Sequence, residues 1–206
     1  MEIKQQQEHG LRGVLQVYEN PWPEFREWAA GRSPEAAWAE CPRGDWLLWW
    51  AAWTARDRRP LVLAAAACLR LALPLVEGED GGRALRAIEA AEAWARAAPS
   101  GEFAAPWHGP EGLEANLQGG RALWWAEQGR GSAAATMITR KAGALYGYAS
   151  EHGAIRACDA ADIAAFYSED RPGVHRRCAD LVRAVIPFPG SVPTQRSARQ
   201  RALVGW

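Results

Sequence analysis

Apolar residues along the chain recur with the spacing of α-helices. Four indole rings share one side of a predicted helix, at positions i, i+3, i+4 and i+7. They belong to Trp46, Trp49, Trp50 and Trp53. Apolar residues in the segment 172–186 also have helical spacing. No segment shows the alternation of apolar and polar residues that is typical of a half-buried strand. The pattern predicts an all-α fold, a multi-helix bundle or short helical array of about seven to nine helices, without significant sheet.

Capping residues mark where several of these helices begin. Ser33 is followed by Pro34 at the first helical position, and Ser132 precedes an Ala-rich run, so both serines are predicted N-caps. Asp45 is predicted to cap the Trp-rich helix in the same way.

Three segments carry weaker or interrupted signals. Residues 61–76 form one long apolar run and are predicted to be a single buried helix. The acidic run 77–82 contains three glycines and is predicted to be a loop. Helical signal returns near Glu114 and weakens at Gly119 and Gly120.

These breaks suggest how the chain is organised. Residues 1–20 are polar and weakly patterned, which predicts a loose N-terminal segment. Residues 21–188 are predicted to form one all-helical domain, with a Pro- and Gly-rich break near 99–112. Residues 189–206 are predicted to be a basic C-terminal tail.

Bulky aromatic residues are expected to form the core, because the chain of 206 residues contains 12 Trp and each ring can bury about 200 Å². The residues predicted to be structural are Asp45, Trp46, Trp49, Trp50, Trp53 and Trp94. The run Ala64–Ala67 lets neighbouring helices approach closely. We therefore expect a set of helices whose core is filled by indole rings.

Charge and hydropathy exclude several classes of partner. Lys plus Arg and Asp plus Glu both number 24, so the formal net charge is zero, and a general nucleic-acid binder is disfavoured. The longest apolar run, 61–76, is shorter than the roughly 20 residues that span a bilayer. No signal-peptide pattern is visible at the N-terminus. We therefore expect a cytoplasmic protein that binds neither nucleic acid nor membrane.

The four cysteines are predicted to be buried, free thiols. They lack the C-x-x-C spacing and neighbouring His residues of a zinc site. Their positions are Cys41, Cys68, Cys158 and Cys178.

No catalytic motif is present in the sequence. The zinc-protease, nucleophile-elbow and phosphate-loop patterns are all missing. Asp159 and Asp162, at i and i+3, are a weak Mg²⁺ candidate and more typical of a solvated helix face. His175, beside two arginines on the last helix, is predicted to be exposed. We therefore expect no enzyme activity, no metal and no cofactor.

Several stretches resemble a known family. They read CPRGDWLLW from Cys41, RRPLVLAAAACLRLALPLV from Arg58, GEDGGRALRAIEAAEAWAR from Gly78 and CADLVRAVIP from Cys178. They resemble bacterial helical proteins described as immunity proteins of polymorphic-toxin systems, the immunity-five-like group. The resemblance is strongest over residues 34–98 and weaker over 172–188. Residues between these ranges depart from the family pattern.

The resemblance implies an immunity protein that protects the producing bacterium by binding and neutralising a cognate protein toxin. The residues predicted to bind that partner are Glu77, Glu79, Asp80, Trp107, His108, Arg196, Arg199 and Arg201. A gap-filling role for Trp107 and a solvated tail remain alternatives, and a weak homodimer stays open.

Two other functions remain open. One is a helical scaffold or small-ligand-binding protein with a Trp-lined cavity. The other, less favoured, is a helical metal-dependent hydrolase that would gather Glu151, His152, Asp159 and Asp162 in one cleft.

Overall fold

The described part of the protein is all α-helical. The structure, a computed structural model, describes residues 23–54, 57–76, 78–97, 110–128, 132–149 and 155–189. Across these ranges it contains nine α-helices, three short 3-10 helices and no strand. The α-helices are α1 Pro23–Ala29, α2 Pro34–Glu40, α3 Gly44–Thr54, α4 Arg59–Arg70, α5 Gly78–Arg96, α6 Pro110–Glu127, α7 Ala133–Ala144, α8 Cys158–Phe166 and α9 Arg171–Val185. The predicted fold class is confirmed.

The helices pack in two groups that share α4. Helices α3, α4, α8 and α9 form one group, and α5, α6 and α7 form the other. Helix α4 contacts α3, α5, α8 and α9, because its buried Ala64, Ala65 and Ala66 allow close approach. Helix α4 therefore lies at the centre of the described helices.

The Trp-rich helix α3 is the most deeply enclosed element. Every residue from Gly44 to Ala52 is buried. The Phe25 ring packs edge to face on the rings of Trp46, Trp49 and Trp50, at 5.5–5.9 Å between centroids. Among the predicted core residues, only Trp53 is partly exposed, because it lies in the last turn of α3. Aromatic rings themselves fill the space beside α3.

Helices α3 and α9 touch where neither has a bulky side chain. A Cβ atom at Gly44 would lie 2.3 Å from Cys178 Cβ, so only glycine fits there. Arg183 of α9 also donates hydrogen bonds to the carbonyl oxygens of Trp38, at 3.3 Å, and Cys41, at 2.8 Å. The two ranges that carry the family resemblance, 34–98 and 172–188, are thus in direct contact.

Two of the three predicted N-caps are confirmed. Ser33 Oγ accepts from Ala36 N–H at 3.2 Å, and Ser132 Oγ accepts from Ala135 N–H at 3.1 Å. Asp45 is wrong as an N-cap: α3 begins one residue earlier, at Gly44, and the Asp45 carboxylate binds Arg43 instead.

Three predicted boundaries are corrected. Helix α4 ends at Arg70, and Pro74 lies in a separate 3-10 helix, Leu73–Leu75, because proline lacks the N–H that would continue the α-helix. The predicted acidic loop is largely the start of α5, whose first turn holds Glu79 and Asp80, where the helix dipole favours carboxylates. Helix α6 begins at Pro110 and continues through Gly119 and Gly120 without a break.

All four cysteines are free and buried, as predicted. Burial raises the pKa of the Cys41 thiol to about 11. The pKa values of Cys68 and Cys158 are also raised, for Cys68 chiefly by its contact with Cys178 and for Cys158 by burial. Protonated, enclosed thiols are poor nucleophiles and poor metal ligands.

Candidate protein-binding surface

A small exposed surface lies where α8 meets α9. It consists of Phe166, Tyr167 and Arg171, which we call the α8–α9 corner. Phe166 is 60% exposed, and its ring packs edge to face on Tyr167 at 4.9 Å between centroids. The Arg171 guanidinium lies 5.9 Å from the Phe166 ring centroid, within reach of a cation–π contact. Aromatic residues and arginine are the residue types that most often anchor protein interfaces.

The turn beneath the corner is fixed by a helix cap. Asp170 Oδ1 accepts a hydrogen bond from Gly173 N–H at 2.9 Å, which caps α9. Pro172 follows at the start of the helix, where its missing N–H costs nothing. The corner therefore includes a short turn that is stabilised by the N-cap of α9.

A series of ionisable side chains connects the corner to the core. Arg171 Nη2 lies 3.7 Å from Asp162 Oδ1, and the same carboxylate oxygen lies 3.8 Å from His175 Nε2. On the other side of the imidazole, Nδ1 lies 3.4 Å from Asp45 Oδ1. His175 therefore sits between two carboxylates, one in the core and one near the surface.

The inner carboxylate is held firmly. Asp45 is 1% exposed and accepts two hydrogen bonds from Arg43, from Nε at 3.0 Å and from Nη2 at 2.6 Å. The Arg43 guanidinium also lies 4.8 Å from the Trp46 ring centroid. This bidentate, partly buried pair orders the first turn of α3.

His175 is buried, so its predicted exposure is wrong. Its neighbours Arg176 and Arg177 are exposed, but His175 is 5% exposed and shares the inner face of α9 with Cys178 and Val182. The signal was present in the sequence, because the three residues are spaced by three and four positions. A histidine directly before two arginines nevertheless suggested a polar face.

Burial sets the protonation of the His175 ring. It lowers the pKa of His175 below the ordinary value of 6.5, although the nearby Asp45 carboxylate acts in the opposite direction. Burial likewise raises the pKa of Asp162. Because the folded protein binds the His175 proton less well than the unfolded chain does, this residue reduces stability as the pH falls below 6.5.

The cluster of Asp45, His175 and Asp162 is suited to a structural role. With 5% exposure, neither His175 nitrogen is within reach of a molecule in solvent, as a general base must be. Asp159 points to a different neighbour from Asp162, because its Oδ2 lies 2.5 Å from Lys141 Nζ on α7. Within the described ranges, no group of three or more His, Cys, Asp or Glu side chains could hold a metal ion.

Most of the predicted partner-binding residues lie outside the part of the chain that the structure describes. Glu79 is exposed and paired with Arg83 at 3.0 Å, and Asp80 is half-buried in the first turn of α5. The others lie outside the described residues: Glu77, Trp107, His108, Arg196, Arg199 and Arg201. Glu151 and His152, named for the hydrolase alternative, also lie outside them.

Sequence reasoning missed the α8–α9 corner. Its signal is an aromatic pair placed directly before a polar turn and a capped helix. That signal does not reveal exposure, because Phe166 ends a helix whose Ala161, Ala164 and Ala165 are buried.

Comparison with protein-family models, with curated proteins and with solved structures finds no match to this chain. The resemblance to immunity proteins therefore stays a prediction. In the described ranges, every helix is too short or too polar to cross a membrane.

Proposed function

We propose that this protein is an immunity protein that neutralises a cognate protein toxin by binding it. The single observation that carries the proposal is the α8–α9 corner. There, Phe166 stands exposed between Tyr167 and Arg171 on a capped turn. An exposed aromatic ring beside an arginine is the combination of residues that most often contributes the binding energy at a protein interface. The family resemblance suggests the class of partner, and the corner is the surface that we propose binds it.

The arrangement below the corner supports the same proposal. Arg43 and Asp45 belong to the first stretch that carries the resemblance, and His175 lies in the weaker range. Asp45 lies 3.4 Å from His175, and Asp162 lies within 3.8 Å of both His175 and Arg171, so the corner adjoins a packed contact between α3, α8 and α9. A surface built on packed helices is partly ordered before a partner arrives, which lowers the entropic cost of binding.

The expected partner surface follows from the corner's chemistry. Phe166 calls for an apolar pocket, and Arg171, which is 53% exposed while pairing with Asp162, calls for a carboxylate or carbonyl oxygen at the pocket's rim. An interface of standard size would bury about 800 Å² on each protein. The corner would be its centre, and surrounding polar residues would form the rim.

Co-expression tests the proposal directly. The protein encoded by the neighbouring gene is induced in cells with or without this protein, and survival and co-purification of the two proteins are scored. We expect survival and a stable complex only when this protein is present. Equal survival without it would contradict an immunity function.

Two single variants then test the surface. Phe166→Ala and Arg171→Ala change exposed side chains, and each is expected to weaken the complex at least tenfold, about 1.4 kcal/mol. Trp124→Ala, which removes an exposed aromatic ring from α6, is the matched control and should bind as the wild type does. If the complex forms but both corner variants bind normally, the toxin contacts another surface.

A further inference from the structure

Helix α6 carries its large apolar residues on the outside. Its buried positions are mainly glycine and alanine, with Trp125 the one large ring among them. They are Gly112, Ala115, Gly119, Ala122, Trp125 and Ala126. By contrast, Leu113 is 66% exposed, Leu117 48% and Trp124 62%. This reverses the usual distribution of large and small residues on a surface helix.

Close packing on α7 explains the inner face. A Cβ atom at Gly119 would lie 2.8 Å from the Gly143 carbonyl oxygen, and one at Gly143 would lie 2.8 Å from the Gly119 carbonyl oxygen. The two backbones therefore meet without intervening side chains. This explains why the inner residues are small, but it does not explain why the outer ones are large and apolar.

The outer residues have the spacing of a helix–helix contact. Leu113, Leu117, Gly120 and Trp124, which we call the α6 seam, are separated by four, three and four positions, the alternation that keeps residues facing a second helix. Gly120 lacks a side chain, and a Cβ atom there would meet nothing within 4 Å. The open groove that passes over Gly120 has a volume of about 470 Å³ and is lined by Leu113, Asn116, Leu117, Gly120, Arg121 and Trp124.

We infer that the α6 seam binds the α6 seam of a second copy of this chain, in antiparallel orientation about a two-fold axis. With the axis between positions 118 and 119, Leu117 lies opposite Gly120 of the second copy and enters its groove. Leu113 then lies opposite Trp124 of the second copy. Each contact occurs twice, which is the self-complementarity that a two-fold interface requires.

Charges beside the seam favour this orientation. Glu114 and Arg121 are both exposed and lie seven positions apart, on the same side of the seam. Gln118 donates a hydrogen bond to Glu114 Oε1 at 2.7 Å, which keeps the carboxylate on that side. In the antiparallel pair, Glu114 of each copy lies on the same side as Arg121 of the other, offset along the helix axis by two residues, about 3 Å, which both long side chains can span. In a parallel pair, the two Glu114 carboxylates would lie at the same height along the helices. The two attractions between Glu114 and Arg121 would then be absent.

The pairing is expected to be weak. The seam occupies a single helix, so the interface falls at the small end of specific protein contacts. We expect a dissociation constant on the order of 10⁻⁵ to 10⁻⁴ M. The pairing does not depend on the toxin proposal, since the α8–α9 corner lies outside the seam.

Sedimentation equilibrium of the full chain, over about 1 µM to 1 mM, tests the proposal. We expect a monomer–dimer equilibrium for the wild type and at least a tenfold weaker one for Leu117→Glu. Phe166→Glu, a charge placed on the other exposed aromatic surface, is the matched control and should dimerise normally. A wild-type monomer at every concentration, or a Leu117→Glu variant that dimerises as well as the wild type, would overturn the inference.

Charge reversal tests the orientation without touching the apolar residues. Glu114→Arg and Arg121→Glu should each weaken dimerisation by at least threefold, because each creates two like-charge pairs. The double variant should recover most of the loss, since it restores opposite charges in the same places. If the double variant is as weak as the worse single variant, the two residues do not face each other.

Disulfide trapping reports the register. One tagged copy carries Leu117→Cys and a differently tagged copy carries Gly120→Cys. The four native thiols are buried, so mild oxidation should link the introduced cysteines. The antiparallel pair predicts mainly the mixed disulfide. A predominance of Leu117→Cys linked to itself would indicate parallel pairing and contradict the inference.

Discussion

Helices α3 and α6 both carry adjacent tryptophans, yet the fold uses them in opposite ways. Helix α3 buries Trp49 and Trp50 together, because helices pack around it on several sides. Helix α6 buries Trp125 and leaves Trp124 62% exposed, because α5 and α7 cover only its inner side. An indole ring thus holds the core together in one helix and is available to a partner in the other.

The largest difference is expected between tryptophans from the two helices. Trp50→Ala removes a fully buried ring that contacts Phe25, Trp38 and Phe188, so we expect a loss of about 3–5 kcal/mol in the free energy of unfolding. Trp124→Ala should change it by less than about 0.5 kcal/mol. Urea unfolding followed by circular dichroism measures both. Similar losses for the two variants would refute the contrast between the helices.

Glycines from the same two helices give the next largest difference. Gly44→Ala places a methyl group 2.3 Å from Cys178 Cβ and 2.8 Å from the Cys178 carbonyl carbon, so we expect a loss of about 1–3 kcal/mol. Gly120→Ala meets nothing within 4 Å and should stabilise the helix by about 0.5–1 kcal/mol. Thermal melts at low micromolar concentration compare them. An unchanged melting temperature for Gly44→Ala would show that α3 and α9 can separate cheaply.

Helix α5, which packs on α6 and on the core helix α4, carries a buried and an exposed glutamate. Glu92 is 6% exposed and accepts hydrogen bonds from Arg70 Nε at 2.8 Å and Nη2 at 3.0 Å. Arg70 is partly exposed, so we expect Glu92→Gln to cost about 1–3 kcal/mol at pH 7. Glu79→Gln, in an exposed pair with Arg83, should cost less than about 0.5 kcal/mol.

The Glu92 effect should depend on pH. Burial alone would raise the pKa of Glu92, but Arg70 and Arg96 together lower it below the ordinary value of 4.5. The stabilisation is therefore present above pH 4.5 and is lost as the pH falls through the lowered pKa. The difference between wild type and Glu92→Gln should shrink below pH 4.5. A constant difference down to pH 2 would contradict this.

The smallest difference concerns two hydroxyl groups. Thr54 of α3 donates to the Trp50 carbonyl oxygen at 2.8 Å, whereas Thr139 Oγ1 is buried without a hydrogen-bond partner in the described residues. We expect Thr54→Val to cost about 0.5–1.5 kcal/mol. Thr139→Val should be neutral or slightly stabilising, because it removes a buried polar group that gains nothing. Chemical unfolding resolves the sign. A loss of stability for Thr139→Val as large as that for Thr54→Val would show that Thr139 Oγ1 makes a hydrogen bond in the folded protein.

Long-range pairing limited what could be predicted. The pair of Glu92 and Arg96, four residues apart, follows from helical spacing and is present at 3.2 Å. The stronger contact from Arg70 comes from another helix, and no local pattern indicates it. The contact of His175 with Asp45, at 3.4 Å, is a similar case, since it joins residues far apart in the sequence.

The sequence by itself determined the helical class, the serine caps, the buried thiols and the Trp-rich core, because these follow from periodicity and local hydrogen bonding within a few residues. Only the tertiary structure decided which side of each helix is covered. Helix α6 is apolar on both sides, and its own sequence does not say which side α5 and α7 will cover. That choice is made by close contacts between segments far apart in the chain, such as Gly119 against Gly143, and it leaves Trp124 at the surface.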